Sequence, residues 1–210
     1  MYRLRRSKGV WVATLCGVFA TSPVFAGSHL WRFSEVFSNE DGSIQFVELH
    51  ECCGSNIEIL VGDKWVSSDA TGLSYVFPEN LVGLTANKYL LLGTAGYAAI
   101  PGAPTPDYII PDNFFSLDGD TLRYWTYPDA TMTWASGEVP TDGVMSLNGD
   151  GSTGTNSPTN FAGETGSVVI VPDIPTVSTW GLVVTLLIMC CVGTVVLSRL
   201  RGKAPAAVAV

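Results

Sequence analysis

The sequence predicts an all-β fold, a β-sandwich, for the central part of this 210-residue chain. Short apolar runs rich in β-branched and aromatic residues recur there, separated by Gly, Pro, Asn and Asp, which is typical of sandwiches and barrels. No stretch between residues 27 and 173 has the capped, 3.6-residue periodicity of a three-turn helix. The two ends of the chain differ from this pattern, because each carries a long apolar run beside cationic residues.

Strands are expected wherever the apolar runs recur. The predicted strands are Leu30 to Phe37, Ile44 to His50, Ile57 to Val61, Leu73 to Phe77, Lys88 to Leu92, Tyr108 to Ile110, Thr121 to Tyr127 and Ser167 to Val171. In the second of these, strict alternation places Phe46 and Glu48 on one face and Val47 and Leu49 on the other. Residues 137–166 are dense in Gly, Ser, Thr and Asn, which favours an extended loop or a strap lying over the sandwich.

The N-terminus has the pattern of a secretory signal peptide. Four cations within residues 3–8 precede an apolar stretch over 10–20, and Val24-Phe25-Ala26 places small residues one and three positions before a cut. We therefore expect residues 1–26 to be removed and residues 27–171 to form the exported domain.

The C-terminus has the pattern of a membrane anchor. The run Val177 to Leu197 has 21 residues without a charge, and at about 1.5 Å per residue it spans roughly 30 Å, the thickness of a hydrocarbon core. Arg199, Arg201 and Lys203 follow it, so the positive-inside rule places residues 204–210 in the cytoplasm and the domain outside the inner membrane.

The predicted exported domain is strongly acidic. Residues 27–173, the domain with its short linker, hold all 19 Asp and Glu residues against four cations, which gives a net charge of −15. Such a surface repels phosphate backbones, so nucleic acid is excluded as a partner, whereas Ca²⁺ is tolerated.

Residues 174–181 carry the motif Ile174-Pro175-Thr176-Val177, followed by Trp180-Gly181. Together with the apolar run and the cations after it, the segment 172–203 resembles the IPTL-CTERM sorting signal of Gram-negative bacteria, with Val177 in place of the usual leucine. This resemblance implies recognition by an exosortase-type membrane protease that passes the exported part to the cell surface or matrix.

Five short segments between residues 31 and 125 are similar to the lamin-tail domain, an immunoglobulin-like β-sandwich. In the order of that family they are Phe33-Ser34-Glu35-Val36, Phe46-Val47-Glu48-Leu49, Lys64-Trp65-Val66, Tyr75-Val76-Phe77-Pro78 and Lys88 to Gly93. His50 to Gly54 replaces the usual asparagine-rich turn. The resemblance implies a fold and no reaction.

Cys52 and Cys53 are adjacent and lie in a domain predicted to enter an oxidising compartment. Three interpretations stay open: a vicinal disulfide or other structural pairing, an intermolecular disulfide, and a metal site completed by His50 and Glu51. The metal site lacks a second Cys or His cluster to supply four ligands.

Two other kinds of binding site are compatible with the sequence. Oxygen ligands for Ca²⁺ occur at Asp112, Asp118, Asp120 and Asp150, in stretches that do not match an EF-hand and are typical of turns. Trp125 and Trp134 lie in an aromatic-rich stretch, and flat rings either stack on sugars or pack into a core.

The sequence contains no G-x-S-x-G, H-E-x-x-H or P-loop motif. We therefore expect a non-catalytic structural or adhesive protein of the cell envelope, in contact with extracellular polysaccharide or matrix. A carbohydrate- or Ca²⁺-binding module is the alternative, and a secreted hydrolase using a pair of carboxylates is a distant third.

Overall fold

The structure is a computed structural model that describes residues 27–170 and 179–201. The predicted signal peptide over 1–26, the part of the sorting motif formed by Ile174, Pro175, Thr176 and Val177, and the tail from residue 202, which includes Lys203, lie outside the described residues.

Within the described residues, ten strands form two sheets. The elements are β1 Trp31–Ser38, β2 Gln45–Glu51, β3 Trp65–Ser68, β4 Ser74–Val76, β5 Tyr89–Thr94, α1 Ala95–Ala98, β6 Tyr108–Ile110, β7 Gly119–Tyr124, β8 Thr131–Ala135, β9 Met145–Asn148, β10 Thr153–Thr155 and α2 Thr179–Arg201. The six-stranded sheet has the order β10-β9-β1-β2-β5-β6, and the four-stranded sheet has the order β4-β3-β7-β8. The predicted all-β, two-sheet architecture is thus confirmed.

A large apolar core joins the two sheets. Trp31, Val47 and Leu49 from the six-stranded sheet and Val66 and Tyr124 from the four-stranded sheet are all fully buried in it. The indole Nε1 of Trp31 donates a hydrogen bond of 2.9 Å to the carbonyl of Glu58, so its one polar atom is satisfied. Burial of large aromatic side chains is the main stabilising term of this core.

A β-bulge in β1 changes which residues face the core. Phe33 pairs with Leu49 and Glu35 pairs with Glu48, which leaves Ser34 as an extra residue between them. Phe33 and Val36 therefore both point into the large core, although strict alternation would put them on opposite faces. Glu35 is thereby placed on the outer face of the sheet.

The outer face of the six-stranded sheet carries a second, smaller apolar cluster of Phe37, Phe46, Leu91, Tyr97 and Val168. Phe37 and Phe46 stack with their ring centroids 5.4 Å apart. Phe46 lies in this cluster while its neighbours Val47 and Leu49 lie in the large core. The predicted alternation along β2 is confirmed, and both faces of this strand are buried.

Several strand predictions need correction. Residues 57–61 and 167–170 form no strand, while β3 and β8 were not among the predicted apolar runs. Residues 137–166, predicted as loop or strap, contain β9 and β10. Both strands are short, and they form because β9 pairs with β1, a contact between distant parts of the chain.

The helix α2 comprises 23 residues and includes Trp180, Gly181, Arg199 and Arg201. Among the residues that the structure describes, no helix has the length and apolar character needed to cross a membrane. The membrane span predicted over Val177 to Leu197 is therefore not confirmed, and its first two residues lie outside the described part of the chain.

Candidate functional site: a carboxylate row beneath a strap

A pocket of about 440 Å³ opens on the outer face of the six-stranded sheet. Its lining is polar and consists of Ser34, Glu35, Glu48, Tyr89, Asn148, Ser157, Thr159 and Thr165. The last three belong to residues 156–168, which follow β10 and lie over this face; we call this segment the strap. The bulge at Ser34 and the alternation of β2 together place two glutamates on the floor of the pocket.

Glu35 and Glu48 lie directly opposite each other on β1 and β2 and are only 2% and 3% exposed. The backbone N–H of Ser157 donates to Glu35 Oε1 over 2.9 Å, and that of Thr159 donates to Glu48 Oε2 over 2.6 Å. The two carboxylates thus accept hydrogen bonds from alternate residues of the strap.

Asp107, just before β6, continues this arrangement. Its Oδ2 accepts the backbone N–H of Phe161 at 3.0 Å and the backbone N–H of Leu91 on β5 at 2.8 Å. Glu35, Glu48 and Asp107 form the carboxylate row, which runs across the sheet from β1 and β2 to the start of β6, with β5 between the last two. The row receives N–H groups from strap residues 157, 159 and 161, so its carboxylates act in place of the carbonyls of a partner strand.

Hydroxyl groups complete the hydrogen bonding of the two glutamates. Glu35 also accepts bonds from the hydroxyls of Ser146 and Ser157, and Glu48 Oε1 accepts one of 2.6 Å from Ser34. Each of the four carboxylate oxygens therefore has at least one donor. Buried charged groups require such partners, because a buried carboxylate oxygen without a hydrogen-bond donor would cost about 3 kcal/mol.

Burial raises the pKa of Glu48 to about 8, and the charge of Glu35 acts in the same direction. The hydrogen bonds from Ser34 and Thr159 lower this pKa, but burial outweighs them. Burial likewise raises the pKa of Asp107, against the hydrogen bonds from Leu91 and Phe161. Glu48 is therefore mostly protonated at neutral pH.

The hydroxyl of Tyr97 lies near the row. Its ring packs edge-on against Phe46 at 5.3 Å, and its oxygen is buried without a hydrogen-bond partner among the described residues. Burial raises the pKa of this phenol, and the charges of Glu35 and Glu48 add to the effect. A neutral tyrosine therefore borders the row.

The carboxylate row was not among the sites predicted from the sequence. The available signal was an acidic residue within an otherwise apolar strand, as in Phe46-Val47-Glu48-Leu49. Burial of that glutamate depends on the strap, whose docking the local sequence does not reveal.

The structure joins Cys52 and Cys53 in a disulfide at the exposed end of β2. The carboxylate of Glu51 orders this turn, because it accepts the backbone N–H groups of Cys53 at 3.1 Å and Gly54 at 2.8 Å. Both sulfur atoms are bonded in the disulfide, so they are not available as thiolate ligands for the metal site that the sequence suggested with His50.

The predicted Ca²⁺ ligands are not brought together. Asp120 is 7% exposed and accepts hydrogen bonds from the hydroxyl of Ser68 at 2.6 Å and the N–H of Ser116 at 2.9 Å. Asp150 caps its own turn through Ser152. In residues 27–170 and 179–201, no group of three or more His, Cys, Asp or Glu residues can hold a metal ion, so Asp112 and Asp118 do not complete a site.

The two predicted stacking tryptophans differ in position. Trp134 is 4% exposed, packs edge-on against Phe115 at 5.4 Å and donates to the carbonyl of Ser116, so of the two alternatives left open by the sequence it follows core packing. Trp125 is half-buried and contacts Trp65, with ring centroids 3.9 Å apart. We call Trp65 and Trp125 the tryptophan pair.

Comparisons with protein-family models, with curated proteins and with solved structures returned no match. The two family resemblances of the sequence therefore stay predictions, and function has to be argued from the sites themselves.

Proposed function

We propose that this chain is a non-catalytic protein of the bacterial cell envelope, an exported structural or adhesive module that a C-terminal sorting signal directs to the surface or matrix. The observation that carries the proposal is that the two buried glutamates of the pocket are hydrogen-bonded within the domain. Glu35 and Glu48, the pair best placed for acid–base chemistry, accept hydrogen bonds from the chain's own strap.

A hydrolase needs its two carboxyl groups in contact with the scissile bond, with room for substrate between them. Glu35 and Glu48 are almost fully buried, and the donors that reach them are strap and strand groups. Their chemistry is therefore used to hold the domain closed, which favours a structural module over a catalytic one.

The disulfide between Cys52 and Cys53 supports export. Both residues are exposed, and cytosolic reductants keep exposed thiols reduced, whereas the periplasm and the cell surface preserve disulfides. The acidic composition of the domain adds support, because a net charge of −15 keeps a surface protein soluble and away from anionic lipid headgroups.

We further assign the sandwich to the immunoglobulin-like, lamin-tail-like class. The five segments that carry this resemblance each overlap one strand, and in chain order these strands are β1, β2, β3, β4 and β5. These strands divide between the two sheets, with β1, β2 and β5 in one sheet and β3 and β4 in the other.

Export is tested by fusing alkaline phosphatase after residue 170 in a Gram-negative host, because the enzyme is active only in an oxidising compartment. We expect activity in the fusion and none when residues 1–26 are deleted. Mass spectrometry of the mature protein should show an N-terminus at Gly27 and a new C-terminus near Pro175 in cells with an exosortase-type protease. An inactive fusion would overturn the export proposal, and an intact C-terminus would overturn the sorting proposal.

The tryptophan pair favours a second candidate function, carbohydrate binding. Trp125 has a φ of 52°, a left-handed conformation that is costly for a bulky side chain and is retained mainly where surrounding structure imposes it. Lys64 Nζ lies 5.6 Å from its ring centroid, so an amine and two indole rings meet at one half-buried place. Aromatic rings of this kind stack on apolar sugar faces.

Tryptophan fluorescence titrated with polysaccharide from the producing cell tests this candidate. We expect a saturable change that is lost in Trp125→Ala and kept in Trp134→Phe, which alters a buried indole only. An equal response in both variants would exclude the tryptophan pair as the binding surface.

A further inference from the structure

The strap is attached to the sheet through acceptors whose charge depends on pH. Backbone N–H groups of three alternate strap residues end on the three carboxyl groups of the carboxylate row. Adjacent strands of a sheet are about 4.8 Å apart, so ionisation of both Glu35 and Glu48, which lie opposite each other on β1 and β2, would place two negative charges at about that spacing beneath the strap. Asp107 lies two strands further across the sheet.

We propose that the carboxylate row is a proton-gated clamp: the strap lies closed over the sheet while Glu48 carries a proton, and ionisation of Glu48 releases it from the outer face. The inference concerns the folded domain alone, so it holds or fails independently of where the protein resides.

The closed geometry fits a protonated Glu48. Its Oε2 accepts the N–H of Thr159, which leaves Oε1, 2.6 Å from Ser34 Oγ, as the oxygen that can carry the proton. The Ser34 hydroxyl donates to this oxygen when Glu48 is ionised, and because a hydroxyl accepts as well as donates, it would accept from the acid when Glu48 is protonated. Neutral Glu48 thus keeps both of its hydrogen bonds and adds no charge beside the buried carboxyl group of Glu35.

The groups around Glu48 offer little to neutralise a second charge. The titratable and charged groups on the elements packed against it are Glu35 on β1, His50 on β2, Lys88 and Tyr89 at the start of β5, Tyr97 on α1, Asp107 before β6 and Glu164 in the strap. Burial lowers the pKa of His50, which keeps its ring neutral. Lys88 Nζ lies 5.8 Å from the centroid of the Phe161 ring, at the far end of the strap contact.

The sign of the effect follows from burial. Burial in the closed domain raises the pKa of Glu48 from an ordinary 4.5 to about 8, so the closed state holds a proton that a state with Glu48 exposed would lose. Closure is therefore strongest below about pH 4.5 and weakens as the pH rises towards 8. The raised pKa of Asp107 acts in the same direction.

Release has a structural consequence. The cluster of Phe37, Phe46, Leu91 and Tyr97 is fully buried while Val168 of the strap packs on it. When the strap leaves, this apolar surface becomes accessible to solvent or to another apolar group. Proton loss is thereby converted into exposure of a hydrophobic face.

Hydrogen exchange of the full chain, measured by mass spectrometry on peptides that cover residues 155–168, tests the clamp. After correction for intrinsic exchange rates, we expect protection of this segment to fall about tenfold between pH 7 and pH 9, as the linkage of one group with a closed-state pKa near 8 requires. Peptides from β7 and β8, which lie in the other sheet, should keep their protection. Binding of anilinonaphthalene sulfonate should increase over the same range.

The decisive variant is Glu48→Gln, which keeps both hydrogen bonds and cannot ionise. We expect it to hold the strap closed up to pH 9, while the exposed matched control Glu40→Gln behaves like the natural chain. Asp107→Asn, which retains Glu48, should keep the transition with a smaller amplitude. The proposal is overturned if protection of the strap is unchanged between pH 7 and pH 9, or if the transition survives in Glu48→Gln. If Glu48→Gln does not fold, loss of the transition in Asp107→Asn overturns it.

Discussion

The two faces of the six-stranded sheet are both buried, but by different means. The inner face packs against the four-stranded sheet through large apolar side chains such as Trp31, Leu49 and Tyr124. The outer face has a small apolar cluster beside three carboxyl groups, and the strap covers both. Burial of apolar area therefore stabilises the inner face, whereas hydrogen bonds to ionisable groups stabilise the outer face and make it sensitive to pH.

The largest expected effect lies on the inner face. Trp31→Ala removes a fully buried indole and its hydrogen bond to Glu58, and it should lower the free energy of unfolding by about 4 kcal/mol. Chemical denaturation of the natural chain and the variant measures this. A loss below about 1 kcal/mol would mean that the inner core tolerates large cavities and that the contrast between the faces is wrong.

A smaller loss is expected where β9 meets the bulge. A Cβ atom at Gly149 would collide with the carbonyl oxygen of Phe33, so Gly149→Ala should cost about 2 kcal/mol through a forced backbone shift. Gly151→Ala is the matched control, since it adds a Cβ in the same turn with open space around it and bears only the strain of its φ of 82°. Equal losses in the two variants would show that the bulge is not tightly packed.

Glu35→Ala tests the outer face. It leaves the N–H of Ser157 and the hydroxyl of Ser146 without their acceptor, which should cost about 2 kcal/mol. We expect hydrogen exchange to increase in the strap before it increases in β7 or β8. Uniform loss of protection in both sheets would show that the strap is inseparable from the inner core.

The smallest effect is expected at the surface. Asp69 and Arg123 form an ion pair of 2.7 Å with both side chains about half exposed. Solvent and salt screen such pairs, so Arg123→Gln should leave the denaturation midpoint unchanged within error. A clear shift that disappears at high salt would mean that surface charge matters to this acidic domain.

The strands were largely predictable because their apolar residues repeat with a period of two. The alternation of Phe46, Val47, Glu48 and Leu49 predicted the two faces of β2 correctly. In β1 the same rule fails, since it would place Glu35 on the face of Trp31 and Phe33. A single inserted residue, Ser34, reverses the faces, and nothing in the local sequence marks it as a bulge.

The candidate sites were harder to predict than the strands. From the sequence, Asp120 and Trp134 were candidates for ligand binding. In the structure Asp120 is hydrogen-bonded to Ser68 and Trp134 to Ser116, and both side chains are buried, so neither is available to a ligand. Trp125 does lie at the surface, and only the fold reveals Trp65 as its neighbour. Residue type indicates which chemistry a side chain can perform, whereas its contacts decide whether that chemistry is available.

Apolar alternation and turn residues were enough to predict that the described domain is a sandwich of strands, because these signals act over a few neighbouring positions. The tertiary structure alone decided that Glu35, Glu48 and Asp107 form a row and that the strap closes over it. Their backbone donors in the strap lie from 54 to 122 residues away along the chain. Burial of a carboxyl group, and with it the raised pKa of Glu48, exists only once those distant segments have come together.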